Sequence, residues 1–204
     1  KLINSSVFIF ADVSGSIQGE PKIPLSKRPK LKDNEWSDYC NKISEIAKRL
    51  SDIGLPMSYH EHMGTIIQSE KDIYRLLDNT DDKTSLLFDT GHIFFAKGDY
   101  DSILKKYVSR INHVHCKDIR KEILNGSLSN DLSFRDSFLE GVFTVPGDGY
   151  INYKPLFETL YDNKYSKWLI VEAEQDPKKA NPLKFAKIGY KYLNKILTEV
   201  GYQI

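Results

Sequence analysis

The sequence predicts an α/β fold, with one parallel sheet covered by helices. Three observations predict it. Strand-like and helix-like segments alternate along the chain, five apolar β-type runs recur with helical periodicity between them, and each histidine falls at or just past the C-terminal end of such a run. Alternation of this kind joins parallel strands through helical crossovers. In parallel α/β architectures the C-terminal sheet edge is where sites are built.

The elements follow in order. Val7–Val13 reads as a buried first strand, entered directly from Lys1-Leu2-Ile3-Asn4, a lead-in without signal-peptide character. The loop behind it carries Gly15, Gly19, Pro21, Pro24 and Pro29 and is too long for a plain connection, so it reads as a cover over a site. Asp33 is placed to cap a helix whose apolar residues Trp36, Tyr39, Ile43, Ala47, Leu50 and Ile53 recur three or four apart, which assigns them to the core. Gly54 ends that helix, and Pro56 opens a second strand, Met57–His62. Ser69 caps a helix running to about Asn79, with Asp72 completing a capping box. Strand Ser85–Thr90, helix Tyr100–Ser109 and strand Ile111–Lys117 come next. Asp118–Gly149 reads as irregular with some helix, closed by a turn at Pro146-Gly147-Asp148-Gly149. Helix Tyr153–Tyr161 and strand Trp168–Ala173 follow, then a last helix with Asn181 as cap and Pro182 at its first position. No internal repeat beyond the strand–helix unit and no linker interrupts the pattern, so residues 1–204 read as a single domain.

Composition narrows the function classes. The chain is 40% hydrophobic and 28% charged, with a formal net charge of +1. Near-neutrality excludes the strongly basic face that nucleic acid needs. No apolar run approaches the roughly 18 residues that span a bilayer. Cys40 and Cys116 lie far apart without metal-ligand spacing, which points to reduced thiols and a cytoplasmic setting.

The polar residues at the strand ends carry the chemistry. The histidines are His60, His62, His92, His113 and His115, joined by Asp12, Glu61, Asp89, Asp118, Glu172 and Glu174. Period-two alternation puts His60 and His62 on one face of their strand, with Met57 and Tyr59 opposite. It puts Asp89 with Leu87, His113 with His115 and Lys117, and Glu172 with Glu174. One polar side chain on each of four strands is the geometry of a mononuclear metal site. We therefore expect His60, Asp89, His115 and Glu172 as ligands. Two imidazoles and two carboxylates without thiolate suit Mn²⁺, Co²⁺, Fe²⁺ or Zn²⁺ better than Ca²⁺ or a structural zinc. His62, His92, His113, Lys117, Asp118 and Asp148 are expected around them, Lys117 and His92 to move protons with Glu172, the others to bind substrate. Some of these residues have plainer readings. Lys117 is also placed for an ion pair with Asp118 or another acid, Glu61 for the helix side or solvent, and Glu174 for a salt bridge beside the ligands. Asp12 is open as a substrate contact. The lysines at 178, 179, 184, 187 and 191 read as solvated faces.

These residues sit in motifs that resemble one family. Tyr59-His60-Glu61-His62-Met63-Gly64-Thr65, Asp89-Thr90-Gly91-His92, His113-Val114-His115-Cys116-Lys117-Asp118, Val145-Pro146-Gly147-Asp148-Gly149 and Glu172-Ala173-Glu174-Gln175-Asp176 occur in that order. Together they resemble the inosose (2-keto-myo-inositol) dehydratases, a branch of the xylose-isomerase-like TIM-barrel superfamily. The resemblance implies a metal-dependent hydro-lyase that dehydrates a cyclic keto-polyol through a metal-stabilised enolate in inositol catabolism, with glutathione as a further cofactor to test. It implies a barrel of eight βα units, of which the five strands here correspond to the last five. A partial barrel exposes two sheet edges, which points to association with a second copy. The alternatives within the resemblance are a metal-dependent sugar isomerase or epimerase, and an inactive fragment. An endonuclease-IV-like enzyme would need a basic groove, which the net charge opposes.

Overall fold

The computed structural model describes residues 5–204, so the Lys1–Asn4 lead-in lies outside the described residues. In chain order it comprises β1 Phe8–Phe10, α1 Trp36–Asp52, β2 Met57–His60, α2 Glu70–Asp78, β3 Ser85–Asp89, α3 Thr90–Phe95, α4 Tyr100–Tyr107, β4 Ile111–Cys116 and β5 Asp118–Ile119. Then come α5 Lys121–Ser129, α6 Phe134–Glu140, β6 Phe143–Thr144, α7 Tyr153–Asp162, β7 Leu169–Val171 and α8 Pro182–Val200. Five strands form one parallel sheet in the order β1-β2-β3-β4-β7, and β5 pairs antiparallel with β6 in a separate ribbon.

Alternation along the strands sorts the side chains as expected. Met57, Tyr59, Leu86, Phe88, Val114 and Cys116 all point to the helix side and are fully buried against Ile43, Ala47, Ile73, Leu76, Ile103, Leu104, Leu156 and Leu160. Each such aliphatic or aromatic side chain contributes about 1.5–3 kcal/mol on leaving water, which makes this layer the main stabilising contact. The opposite sheet face is left for the polar residues. Trp36, Cys40, Ile43 and Ala47 are the buried stripe of α1, while its outer face carries the i,i+4 pairs Asp38–Lys42 and Glu45–Arg49. Both cysteines are buried and unpaired.

Several boundaries shift, each for a physical reason. β1 holds only three residues instead of Val7–Val13, because its partner β2 offers register positions only from Met57 to Tyr59. Asp33–Glu35 forms a 3-10 turn ahead of α1, which itself begins at Trp36. β3 ends at Asp89 because the next residues start α3, a helix too short to show periodicity in sequence. The stretch from Asp118 to Gly149 is more regular than expected, holding α5, α6 and the β5–β6 ribbon.

That insert and the long loop after β1 build a second apolar cluster: Leu25, Met63, Phe95, Ile119, Leu124, Phe134, Val142 and Phe143. The loop is tied down at both ends. Its Ile17 N–H donates to Gly64 O at 3.0 Å, and its Leu25 N–H donates to Leu132 O at 3.3 Å. Arg28 donates to Thr65 O at 3.1 Å, Ile66 O at 2.7 Å and Asp72 at 2.6 Å. The loop therefore lies braced across the C-terminal edge of the sheet. Among the described residues no helix is long and apolar enough to cross a membrane.

Candidate metal centre

Register sets the height of each polar side chain. Asp89 is level with His115, and His115 is level with Ile170. His60 pairs with Leu87, two residues below Asp89, while Glu172 stands two residues above Ile170. The four positions thus climb across the sheet instead of sharing one level, as strands of a tilted, curved sheet do. Their side chains nevertheless converge. His60 Nε2 lies 3.4 Å from Asp89 Oδ2, His115 Nδ1 lies 3.4 Å from the same oxygen, and His115 Nδ1 lies 3.4 Å from Glu172 Oε2.

These four atoms share another property. His60 Nε2, Asp89 Oδ2, His115 Nδ1 and Glu172 Oε2 are all buried and make no hydrogen bond within the described residues. A buried polar atom left unsatisfied costs about 1–3 kcal/mol, and more if charged. Asp89 is common to two sets whose ligand atoms lie within 4.8 Å of one another, one with His115 and Glu172 and one with His60 and His92, and imidazole nitrogen with carboxylate oxygen is the chemistry of Mn²⁺, Co²⁺, Fe²⁺ or Zn²⁺. The residues fit a divalent metal.

Asp89 explains part of this placement. As N-cap of α3, its Oδ1 accepts the Gly91 and His92 N–H groups, each at 2.9 Å, which turns Oδ2 toward the histidines. Burial alone would raise its pKa. The Lys117 ammonium and the imidazoles of His92, His115 and His60 outweigh burial and hold it well below the usual carboxylate range. Burial lowers His60, whereas the adjacent carboxylates of Asp89 and Glu172 overcome burial at His115 and push it up to about 9.

Lys117 is fully buried, and its partners are not Asp118. Its Nζ lies 2.8 Å from Glu172, 2.9 Å from Glu174, 3.3 Å from Asp89 and 2.8 Å from His92 Nε2. Burial opposes the charge, but the three carboxylates more than compensate and raise its pKa. Gly91 makes room for this side chain: a Cβ there would stand 2.6 Å from Lys117 Cγ and 2.8 Å from Cδ. The glycine of the Asp-Thr-Gly-His motif is therefore the floor under the lysine stem. Thr90 locks the same strand end, its Oγ1 donating to Lys117 O at 2.7 Å.

Other residues separate into those gathered at the site and those that are not. His62 and His92 lie against each other with ring centroids 3.9 Å apart, tilted at 46°. Glu174 joins them, its Oε1 3.5 Å from His62 Nε2 and its Oε2 3.4 Å from His92 Nε2. Burial would raise Glu174, yet the Lys117 charge and the two histidines hold it well below its ordinary value. Sequence reasoning left Glu174 between a salt bridge and a supporting role. The signal that it belonged here was its shared face with Glu172.

Glu61 was expected on the helix side or in solvent. Burial rules out the solvent reading: it is fully buried, with neither carboxylate oxygen hydrogen-bonded, and burial beside Asp89 pushes its pKa well up. His113 sits two residues before His115 at 5.4 Å between rings, deeper in the sheet, where burial lowers it to about 4. The carboxylate of Asp118 accepts backbone N–H groups of Ile119, Ile151 and Gly147, at 2.7, 2.9 and 3.3 Å. It holds the Pro146–Gly149 turn instead of facing the four donors. Asp148 is likewise engaged, with Arg120 at 2.7 Å and Thr144 at 2.6 Å. Asp12 turns back to accept the Ser14 N–H at 2.9 Å.

Known proteins are similar to this chain. The model of the xylose isomerase-like TIM barrel family covers residues 10–202. The rhizopine catabolism protein MocC of Rhizobium meliloti is 40% identical over 196 residues, 96% of this chain and 60% of that protein. The inosose dehydratase of Salmonella typhimurium is 43% identical over 197 residues, 96% of this chain and 65% of that protein. The chain thus spans less than two thirds of the length of these relatives. Among solved structures, an IolI protein with a bound zinc atom superposes at a TM-score of 0.64 with 15% identity, covering 87% of this chain and 61% of that one. A 3-dehydroshikimate dehydratase, AsbF of Bacillus anthracis, superposes at 0.63 with 15% identity, covering 85% of this chain and 61% of that one. At such identities the superpositions speak for the fold, a curved run of parallel strands with helices outside. On the family match and the relatives at about 40% identity, the chain belongs to the xylose isomerase-like TIM barrel family.

Proposed function

We propose that this chain carries the metal-holding face of a hydro-lyase that dehydrates inosose, a cyclic keto-polyol, in inositol catabolism. Relatives at 40–43% identity named inosose dehydratase support the reaction class. The observation that carries the reading is the set of four buried ligand-type atoms without a hydrogen bond on His60, Asp89, His115 and Glu172, with the Lys117 ammonium beside two of them.

Those four residues would hold the ion, with Mn²⁺ or Co²⁺ the first choices for this donor set. Bound there, a divalent cation supplies electrophilic stabilisation of negative charge on the ketone oxygen. The remaining chemistry is proton handling. Loss of water from a β-hydroxy ketone removes one proton beside the carbonyl and expels hydroxide from the next carbon, where a proton must meet it.

The fully buried Lys117 and His92 sit behind the front formed by Glu172 and Glu174, whose side chains are 30% and 28% exposed. Lys117 Nζ donates toward His92 Nε2 and the carboxylates, and so acts as a fixed positive charge that orients them. Glu174 and His62 are the acid–base groups that reach the open side. His62 Nδ1 faces Met63 O at 2.8 Å and donates to it, which leaves Nε2 as the acceptor nitrogen. In this reading Glu174 and His62 join the expected Lys117, His92 and Glu172 in proton handling, with Lys117 and His92 behind the front.

The test is turnover of inosose by the protein reconstituted with Mn²⁺ or Co²⁺, with and without glutathione, beside ketohexoses as control substrates. Inosose dehydration lost in Glu172→Gln and His115→Ala supports the reading. Full activity in either variant, or isomerisation of a ketohexose without dehydration of inosose, contradicts it.

A further inference from the structure

Three overlapping groups of ligand-type atoms stand at the sheet edge. The first is Asp89, His115 and Glu172, the second is His62, His92 and Glu174, and His60, Asp89 and His92 link them; within each the ligand atoms lie within 4.8 Å of one another. The second group has the preparation of a cation site. The Met63 carbonyl fixes His62 through Nδ1 and aims Nε2 at Glu174, the way an outer partner orients a ligating imidazole. His92 is fully buried, and Glu174 presents one oxygen to each ring.

A cation already stands between the two groups. Lys117 Nζ touches Glu174 and His92 of the second group, and Glu172 and Asp89 of the first. Its Nζ lies 2.8 Å from His92 Nε2 and 2.9 Å from Glu174 Oε2, on two of the three residues that an ion in the second group would bind. The ammonium and a second ion therefore compete for the same atoms.

We propose that Lys117 is a tethered cation that takes the place of a second metal ion at His62, His92 and Glu174, and so sets the centre at one divalent ion per chain. The inference rests on the reading of His60, Asp89, His115 and Glu172 as a metal centre. Lys117 acts through the groups it holds, which makes it a positioning residue that decides metal stoichiometry.

Equilibrium dialysis against Mn²⁺ tests this, with bound metal counted by mass spectrometry and examined by electron paramagnetic resonance. The wild type binds one ion. Lys117→Met keeps an unbranched stem over Gly91 but removes the charge, and it binds two, with the multiline spectrum of exchange-coupled manganese. Lys117→Arg stays at one, and Lys117→Met combined with Glu174→Gln returns to one. A folded Lys117→Met protein that binds one ion overturns the inference. Should Lys117→Met fail to fold, Glu174→Gln alone decides: it keeps the single ion, and its loss would show that the two groups are not separate sites. Two ions on the wild type overturn the inference and leave the metal centre standing. No ion on the wild type removes both.

Discussion

Asp89 uses its two oxygens for different ends, one to cap α3 and one to face His60 and His115. Two residues on, Gly91 shows how a motif position can serve a neighbour, since its missing side chain is where the Lys117 stem runs. Replacing it with alanine should therefore move Lys117 while leaving the fold in place. Alanine gains roughly 1 kcal/mol of helix propensity over glycine, which offsets part of the steric cost. Gly91→Ala is expected to change the melting temperature by only a few degrees yet lower kcat/KM at least tenfold, in keeping with the cost of roughly 1 Å misplacements in active sites. A variant with normal kcat/KM would show that the lysine position is immaterial.

The helices and the bracing loop make separate predictions. Asp99 caps α4 by accepting the Asp101 and Ser102 N–H groups, each at 3.1 Å, while the Ser102 hydroxyl donates to its other oxygen at 2.6 Å. The Ser102 hydroxyl and amide hold its pKa below the ordinary value. A carboxyl depressed in the folded state stabilises the fold above its unfolded pKa, and that contribution disappears as the pH falls through the folded value. Asp99→Ala should cost about 1 kcal/mol at neutral pH, and the gap to the wild type should close in urea titrations at the acid end. A gap independent of pH would mean that the cap does not act through its charge. Arg28 ties the loop after β1 to the backbone ahead of α2 and to Asp72. Arg28→Ala removes this donor from the Thr65 and Ile66 carbonyls, while Asp72 keeps the Ser69 amide and hydroxyl, and is expected to lose about 2 kcal/mol of stability. Because the loop packs Leu25 beside Met63 and Phe134, the same variant should also raise KM.

Across the molecule, the outer edges of β1 and β7 have no strand partner among the described residues. Phe8, Ile9 and Trp168 are exposed there at 43%, 44% and 63%. Unpaired apolar edges favour association, so sedimentation velocity should show species larger than a monomer, reduced by Ile9→Lys with Trp168→Lys; a monomeric wild type would contradict this. Much of the architecture was legible in sequence because parallel strands, helix caps and period-two alternation are local signals. Ser69, Asn181 and Pro182 marked helix starts that the structure places at Glu70 and Pro182, and Met57 and Tyr59 fell on the helix side as their spacing required. The approach of His60 and His115 to Asp89, and of Glu172 to His115, was legible for the same reason. What escaped was tertiary: α3 is too short to show a period, and the partners of Lys117, Asp118 and Glu61 depend on where distant segments meet. Alternation assigns a face but not a neighbour. The central claim is that four atoms on four strands hold one ion, and a crystal grown with Mn²⁺ and measured for anomalous scattering tests it most directly. The account predicts one peak within coordination distance, roughly 2.0–2.3 Å, of His60 Nε2, Asp89 Oδ2, His115 Nδ1 and Glu172 Oε2. A peak bound elsewhere, or none at saturating Mn²⁺, would contradict it.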